Sequence, residues 1–297
     1  MKEKAWHELL GDLQTNSGLY NKLLVGSEQE FLEIAGFRDL KSDGPKIYRS
    51  VFALRLMDVS QCLVLLLAIL RNLRRLGTNP TRTIRLIENF SFQYSAICKL
   101  PTNRVENIYS RYAIEIEKAV DTSSEKHISG KIQSIFAKLE SDLRNTAPSF
   151  QAFNESFADI SYRSSEASRL LVKYILDRVN ESLQKTDENR PDFNTVNIEH
   201  VLARNPHKTS DVKKEDIKSF VNKIGNLTLL SRKINSRLQN VPPKQKLPEL
   251  EKSELAITKN VVELLRKNEC EWGETQIRER QVWMGKRAFW EIWRLVK

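Results

Sequence analysis

Apolar residues recur at three- and four-residue spacing through most of the chain, the pattern of helices with one buried stripe. From Ile47 to Leu76 a leucine-rich run predicts one long helix. Gly77 stands at its C-cap position, and the turn Thr78-Asn79-Pro80 ends it, because proline cannot continue a helix. Ile84, Ile87 and Phe90 predict a second helix over about 81–95, and Val105, Ile108, Tyr109, Tyr112, Ile116 and Val120 a third over about 103–120. Further helices are predicted over about 131–144, closed by Pro148, and over 166–183, where Leu170, Leu171, Tyr174, Ile175, Val179 and Leu183 form one stripe. Residues 1–45 are polar, with Gly26, Gly36 and Gly44 punctuating short helical pieces.

The period changes after the polar, proline-containing stretch KTDENRPDFN, which reads as a linker. Over 195–202, Val196, Ile198, His200 and Leu202 alternate with Asn197, Glu199 and Val201, and NLTLL over 226–230 enters through Gly225; both predict short strands. RKINSRLQN then reads as a helix until Pro242 and Pro243 stop it. Strand, long basic loop, strand and helix is the order of a ββα-metal finger, which must pack on neighbouring helices because two short strands are not stable alone. Ile277, Met284, Ala288, Ile292 and Leu295 predict a closing helix within 272–296. The expected fold is mostly α: a helical scaffold over 1–150, then a domain over 151–297 with its finger at about 195–246 between helices at 160–185 and 272–296.

Charge adds a direction. The chain carries +10 overall, and residues 200–246 hold eleven Lys and Arg against three acids, a footprint for a polyanion. Cys62, Cys98 and Cys270 are too dispersed for a disulfide framework or a zinc knuckle, so a reducing cytoplasm is the expected setting. The longest apolar run, the nine residues Cys62–Leu70, is far short of the roughly 20 that cross a bilayer.

Within the basic segment, Glu199-His200 is followed by Asn226 in GNLTLL and by Asn235 nine residues later. This set resembles the HNH nuclease motif, in particular that of GmrSD-type, modification-dependent restriction endonucleases. RLLVKYILDRVNESL ahead of it, Trp272, Ile277 and Arg280 in W-x4-I-x2-R after it, and the earlier RLIENFSFQYSAICKLPTNR resemble the same family. Two features depart from it. Ala203 stands where the family usually has proline, and no Asp-Gly-Gln-Gln-Arg-like phrase of a nucleotide-dependent domain is present. A stand-alone nuclease subunit or a truncated form is therefore expected, with a separate nucleotide-dependent regulatory domain or subunit as a possible partner beside DNA.

The resemblance implies a metal-dependent DNA endonuclease in restriction or anti-phage defence, and the chemistry of the residues agrees. His200, with an ordinary pKa of about 6.5, suits the general base. Glu199 and Asn235 offer hard oxygens for Mg²⁺ or Mn²⁺. Asn226 is expected to fix the finger's backbone and orient His200. Lys233, Arg237 and Lys246 are placed to follow a nucleic-acid backbone, and Arg280 to pair with the finger or bind phosphate. Lys213, Lys214 and Lys218, interleaved with acids, read as a solvated face, as does His207 in its loop. Glu199 and His200 are neighbours on a strand and point to opposite faces, so serving one phosphate requires the strand to end or bend at 199–201. The alternatives are a nucleic-acid-binding module that does not cut and a helical protein-interaction subunit.

Overall fold

A computed structural model describes residues 2–40, 42–122, 125–184, 192–206, 213–236, 238 and 240–295. The protein is mostly helical with one small two-stranded sheet. Two compact units emerge, one formed by Met1–Pro148 with Leu295–Lys297, the other by Ser149–Arg294. None of the described helices is long and apolar enough to cross a membrane.

The first unit holds α1 (Lys2–Val25), α2 (Glu28–Leu32), α3 (Asp43–Leu56), α4 (Leu63–Arg71), α5 (Thr81–Ser91), α6 (Asn103–Thr122) and α7 (Glu125–Thr146). Helix α4 packs on α1 and α6, α3 on α5, and α7 on α5 and α6. Leu65, Leu66, Ile69 and Leu70 of α4 and Tyr109, Tyr112 and Ile116 of α6 are buried in this core. The predicted helix over 47–76 is in fact two. Asp58 takes a left-handed φ of 56°, Asp58 N–H donates to Arg55 O and Val59 N–H to Leu54 O, each at 3.0 Å, which is the Schellman way to close a helix. The apolar stripe runs on across this break, so periodicity alone joined the halves. Beyond α5 the backbone widens into a π-helical turn over Phe92–Ile97.

The second unit holds α8 (Phe150–Phe157), α9 (Glu166–Leu183), β1 (Val196–His200), α10 (Lys214–Ile217), β2 (Leu227–Ser231), α11 (Arg232–Asn235), α12 (Pro243–Leu250), α13 (Ala256–Lys267) and α14 (Glu274–Arg287). Strands β1 and β2 pair antiparallel, with Glu199 opposite Thr228 and His200 opposite Leu227. Helices α9 and α13 pack on β2, and α14 packs on the turn that enters it. Behind the hairpin lies a core that includes Val201, Leu202, Leu230, Val261, Trp272 and Ile277.

Two elements near the hairpin differ from expectation. The helix after β2 is a single turn, opened by the Ser231 hydroxyl accepting from Ile234 N–H at 3.4 Å. Pro242 and Pro243 do not merely stop it. Pro243 occupies the first turn of α12, where a missing amide hydrogen costs nothing. Pro243, Lys246 and Leu250 are the buried residues of α12, and this decides the fate of Lys246.

Candidate active site

Strand β1 ends at His200, and the chain bends through Val201 and Leu202. Glu199 and His200 thereby line one cleft, together with Tyr162, Ile198, Ala203, Arg204, Asn205, Asn240 and Lys246. The bend is held by Asn226. This residue is fully buried, and its side-chain oxygen accepts from Leu202 N–H at 2.8 Å and from the Trp272 indole N–H at 3.0 Å. Its amide nitrogen donates to Leu202 O at 3.0 Å and Val221 O at 2.7 Å. All four hydrogen-bonding capacities of the carboxamide are thus committed, three to the backbone and one to Trp272, and Asn226 carries the backbone rather than touching the imidazole.

The imidazole is held by other residues. His200 Nε2 lies 3.1 Å from Asn222 Oδ1, and the Tyr162 ring meets the imidazole edge-on, 5.4 Å between centroids. Tyr162 and Asn222 are brought together by the backbone: Tyr162 N–H donates to Asn222 O at 2.7 Å, beside a bridge between Ser161 and Lys223. An amide oxygen can only accept, so Nε2 carries the proton and Nδ1 keeps its lone pair. Burial pushes the imidazole down to about 4; the bond to Asn222 opposes this, and the cations Arg204 and Lys246 reinforce it. His200 is therefore neutral at physiological pH.

Lys246 is 1% exposed at its side chain, against 16% for Glu199. Its ammonium donates to Glu199 Oε1 at 2.5 Å and to His200 O at 2.6 Å, tying the carboxylate to the end of the strand. It does not lie on an open face as the sequence suggested, because it belongs to the inward stripe of α12. Arg280 takes the first of its two expected roles, pairing with the finger. It is 2% exposed, and its Nη1 donates to Gly225 O at 2.8 Å and Leu227 O at 2.7 Å. It staples α14 to the entrance of β2 and has no access to phosphate; burial pushes its guanidinium down to about 9. Lys233 is exposed on α11, and Arg237, like His207, lies outside the described residues.

Asn235 ends α11, which packs on both strands. Its Oδ1 is buried and finds no hydrogen-bond partner. A buried amide oxygen in that condition is costly unless something else binds it. Asn235 does not line the cleft that holds Glu199; each residue separately offers a hard oxygen of the kind Mg²⁺ accepts while retaining several waters. Among the described residues there is no group of three or more His, Cys, Asp or Glu that could enclose an ion. The donors present fit a hard, water-rich ion and do not fit a closed zinc centre.

Residues 147–287 match the family described as GmrSD restriction endonucleases, C-terminal domain. The site lies within this matched stretch. No curated protein matches the chain. The matched stretch contains α8 to α14 and both strands, and so includes every residue of the cleft. Sequence reasoning over this region missed Tyr162, Asn222 and Asn240. Asn222 stands four residues before Asn226 in VNKIGN, the one local signal that would have found it.

Proposed function

We propose that the protein is an HNH-type, divalent-metal-dependent endonuclease that hydrolyses phosphodiester bonds in DNA and acts in restriction or anti-phage defence against modified DNA. One observation carries this reading. A neutral histidine, with Nε2 committed to Asn222, sits at a strand end beside a carboxylate, in a cleft shared with Arg204 and Lys246. That cleft belongs to a segment matching a restriction endonuclease domain.

In this reading His200 Nδ1 takes a proton from the attacking water, whose oxygen forms a bond to phosphorus as a P–O ester bond breaks. Tyr162 and Asn222 hold the ring so that the lone pair, not the N–H, meets the water. Glu199 and Asn235 would hold Mg²⁺ or Mn²⁺, which when bound stabilises charge on the phosphorane and the leaving oxygen. Lys246 occupies one carboxylate oxygen of Glu199 and leaves the other for the ion.

Plasmid cleavage with Mg²⁺, Mn²⁺ or EDTA, comparing the unaltered chain with His200→Ala, tests the reading. The substitution is expected to lower the rate by about 10²- to 10⁴-fold while DNA binding survives. Equal cutting by both proteins would remove His200 from the mechanism. Binding without cutting by the unaltered chain in every metal would favour the non-cleaving module.

A further inference from the structure

We propose that the polynucleotide leaves the His200 cleft along a cationic groove whose Arg204, Lys214 and Lys218 side chains hold its phosphates. The inference rests on the endonuclease reading above and adds the path of the substrate.

A second cleft, lined by Arg204, Asn205, Lys214, Lys218, Val221 and Asn222, adjoins the first. The two share Arg204 and Asn205. Asn222, on the wall of the second, is the residue whose side chain meets His200 Nε2. The groove therefore begins at the group that orients the base and continues from it, and a strand whose phosphate reached His200 would enter it directly.

Among the described residues, three cations and no carboxylate line this groove. On other exposed parts of the second unit, cations are neutralised by neighbours, as in Arg266 with Glu251 and Arg278 with Glu274, both at 2.8 Å. Arg204, Lys214 and Lys218 form no ion pair among the described residues. Lys214 and Lys218 are one helical turn apart and so share a side of α10 and its C-cap. Ile217 and Val221 of the same turn are buried in the core and fix that side toward the cleft. Glu215 and Asp216 are exposed but do not line the groove. Unpaired cations along a concave wall focus positive potential, and a backbone with evenly repeated negative charge is the ligand that fits them. Lys214 and Lys218 are exposed, as the expected solvated face requires, and the groove gives that face a ligand, whereas Lys246, expected to follow the backbone, is buried.

The test measures binding of a short fluorescent DNA duplex by the full chain in EDTA, as a function of salt, alongside plasmid cleavage. Each phosphate contact removed is expected to lower the slope of log affinity against log salt by about 0.9. Lys214→Ala/Lys218→Ala should lose about two such contacts and Arg204→Ala about one, whereas Lys267→Ala, on α13 and in neither cleft, should keep the parent slope. All four positions are exposed, so the fold is retained. If the parent cuts DNA and the double variant keeps the parent slope, the groove is wrong and the nuclease reading stands. If the parent neither binds nor cuts DNA but binds polyglutamate with a slope that the double variant lowers, the groove serves an acidic polypeptide and both inferences fall.

Discussion

At the scale of single residues, His200 couples chemistry to stability. Its folded pKa is held near 4 by burial, against about 6.5 when unfolded, so between these values the unfolded chain binds the extra proton. The stabilisation is fully present above pH 6.5 and is lost as pH falls toward 4, by roughly 3 kcal/mol. Urea unfolding from pH 7 to 4.5 should show the unaltered chain losing stability faster than His200→Gln; parallel curves would mean that His200 is not the source. Lys246 gives a second expectation. Removing one partner of a buried ion pair leaves the other uncompensated, at about 3 kcal/mol or more. Lys246→Met keeps the stem but strands Glu199 and His200 O, so its urea midpoint should drop, and adding Glu199→Gln should recover part of the loss. Loss of the same size from both variants, added without recovery, would show that the pair is not coupled.

At the scale of elements, the approach of α14 to β2 depends on one missing side chain. A Cβ at residue 225 would lie 2.0 Å from Ile277 O, inside any permissible contact. Gly225→Ala should therefore cost about 1–3 kcal/mol, at the upper end because the obstacle is backbone, and should loosen the turn that carries Asn222 and Asn226. Calorimetry would register it; an unchanged melting temperature would show that α14 can withdraw freely. Helices of strong period, such as α6 and α9, were legible in the sequence, as were the two strands. What escaped was punctuation. Asp58 closes α3 in a conformation usually supplied by glycine, and Pro243 opens a helix where proline was read as a stop. Both depend on where in a turn the residue falls, which composition does not state.

At the scale of the whole molecule, charge pointed to the segment that carries most of the cleft but did not tell its buried cation from its exposed ones. Glu199 and His200 were legible because neighbours in sequence remain neighbours at a strand end. Lys246 joins them from 46 residues away from His200, and Tyr162 from 38 residues before it, through packing that no local pattern encodes. Counting cations over 200–246 likewise did not separate Lys246, which is consumed inside, from Lys214 and Lys218, which remain available outside. The Asn226 clamp has a further consequence. Because it grips both the N–H and the C=O of Leu202, the geometry of the bend is settled before residue 203 is reached. The exit of the bend is therefore set by the buried carboxamide and not by the side chain at 203. The clamp thus does for Ala203 what a proline ring would do at that position: it restricts the chain's exit from the turn, with hydrogen bonds in place of a locked φ.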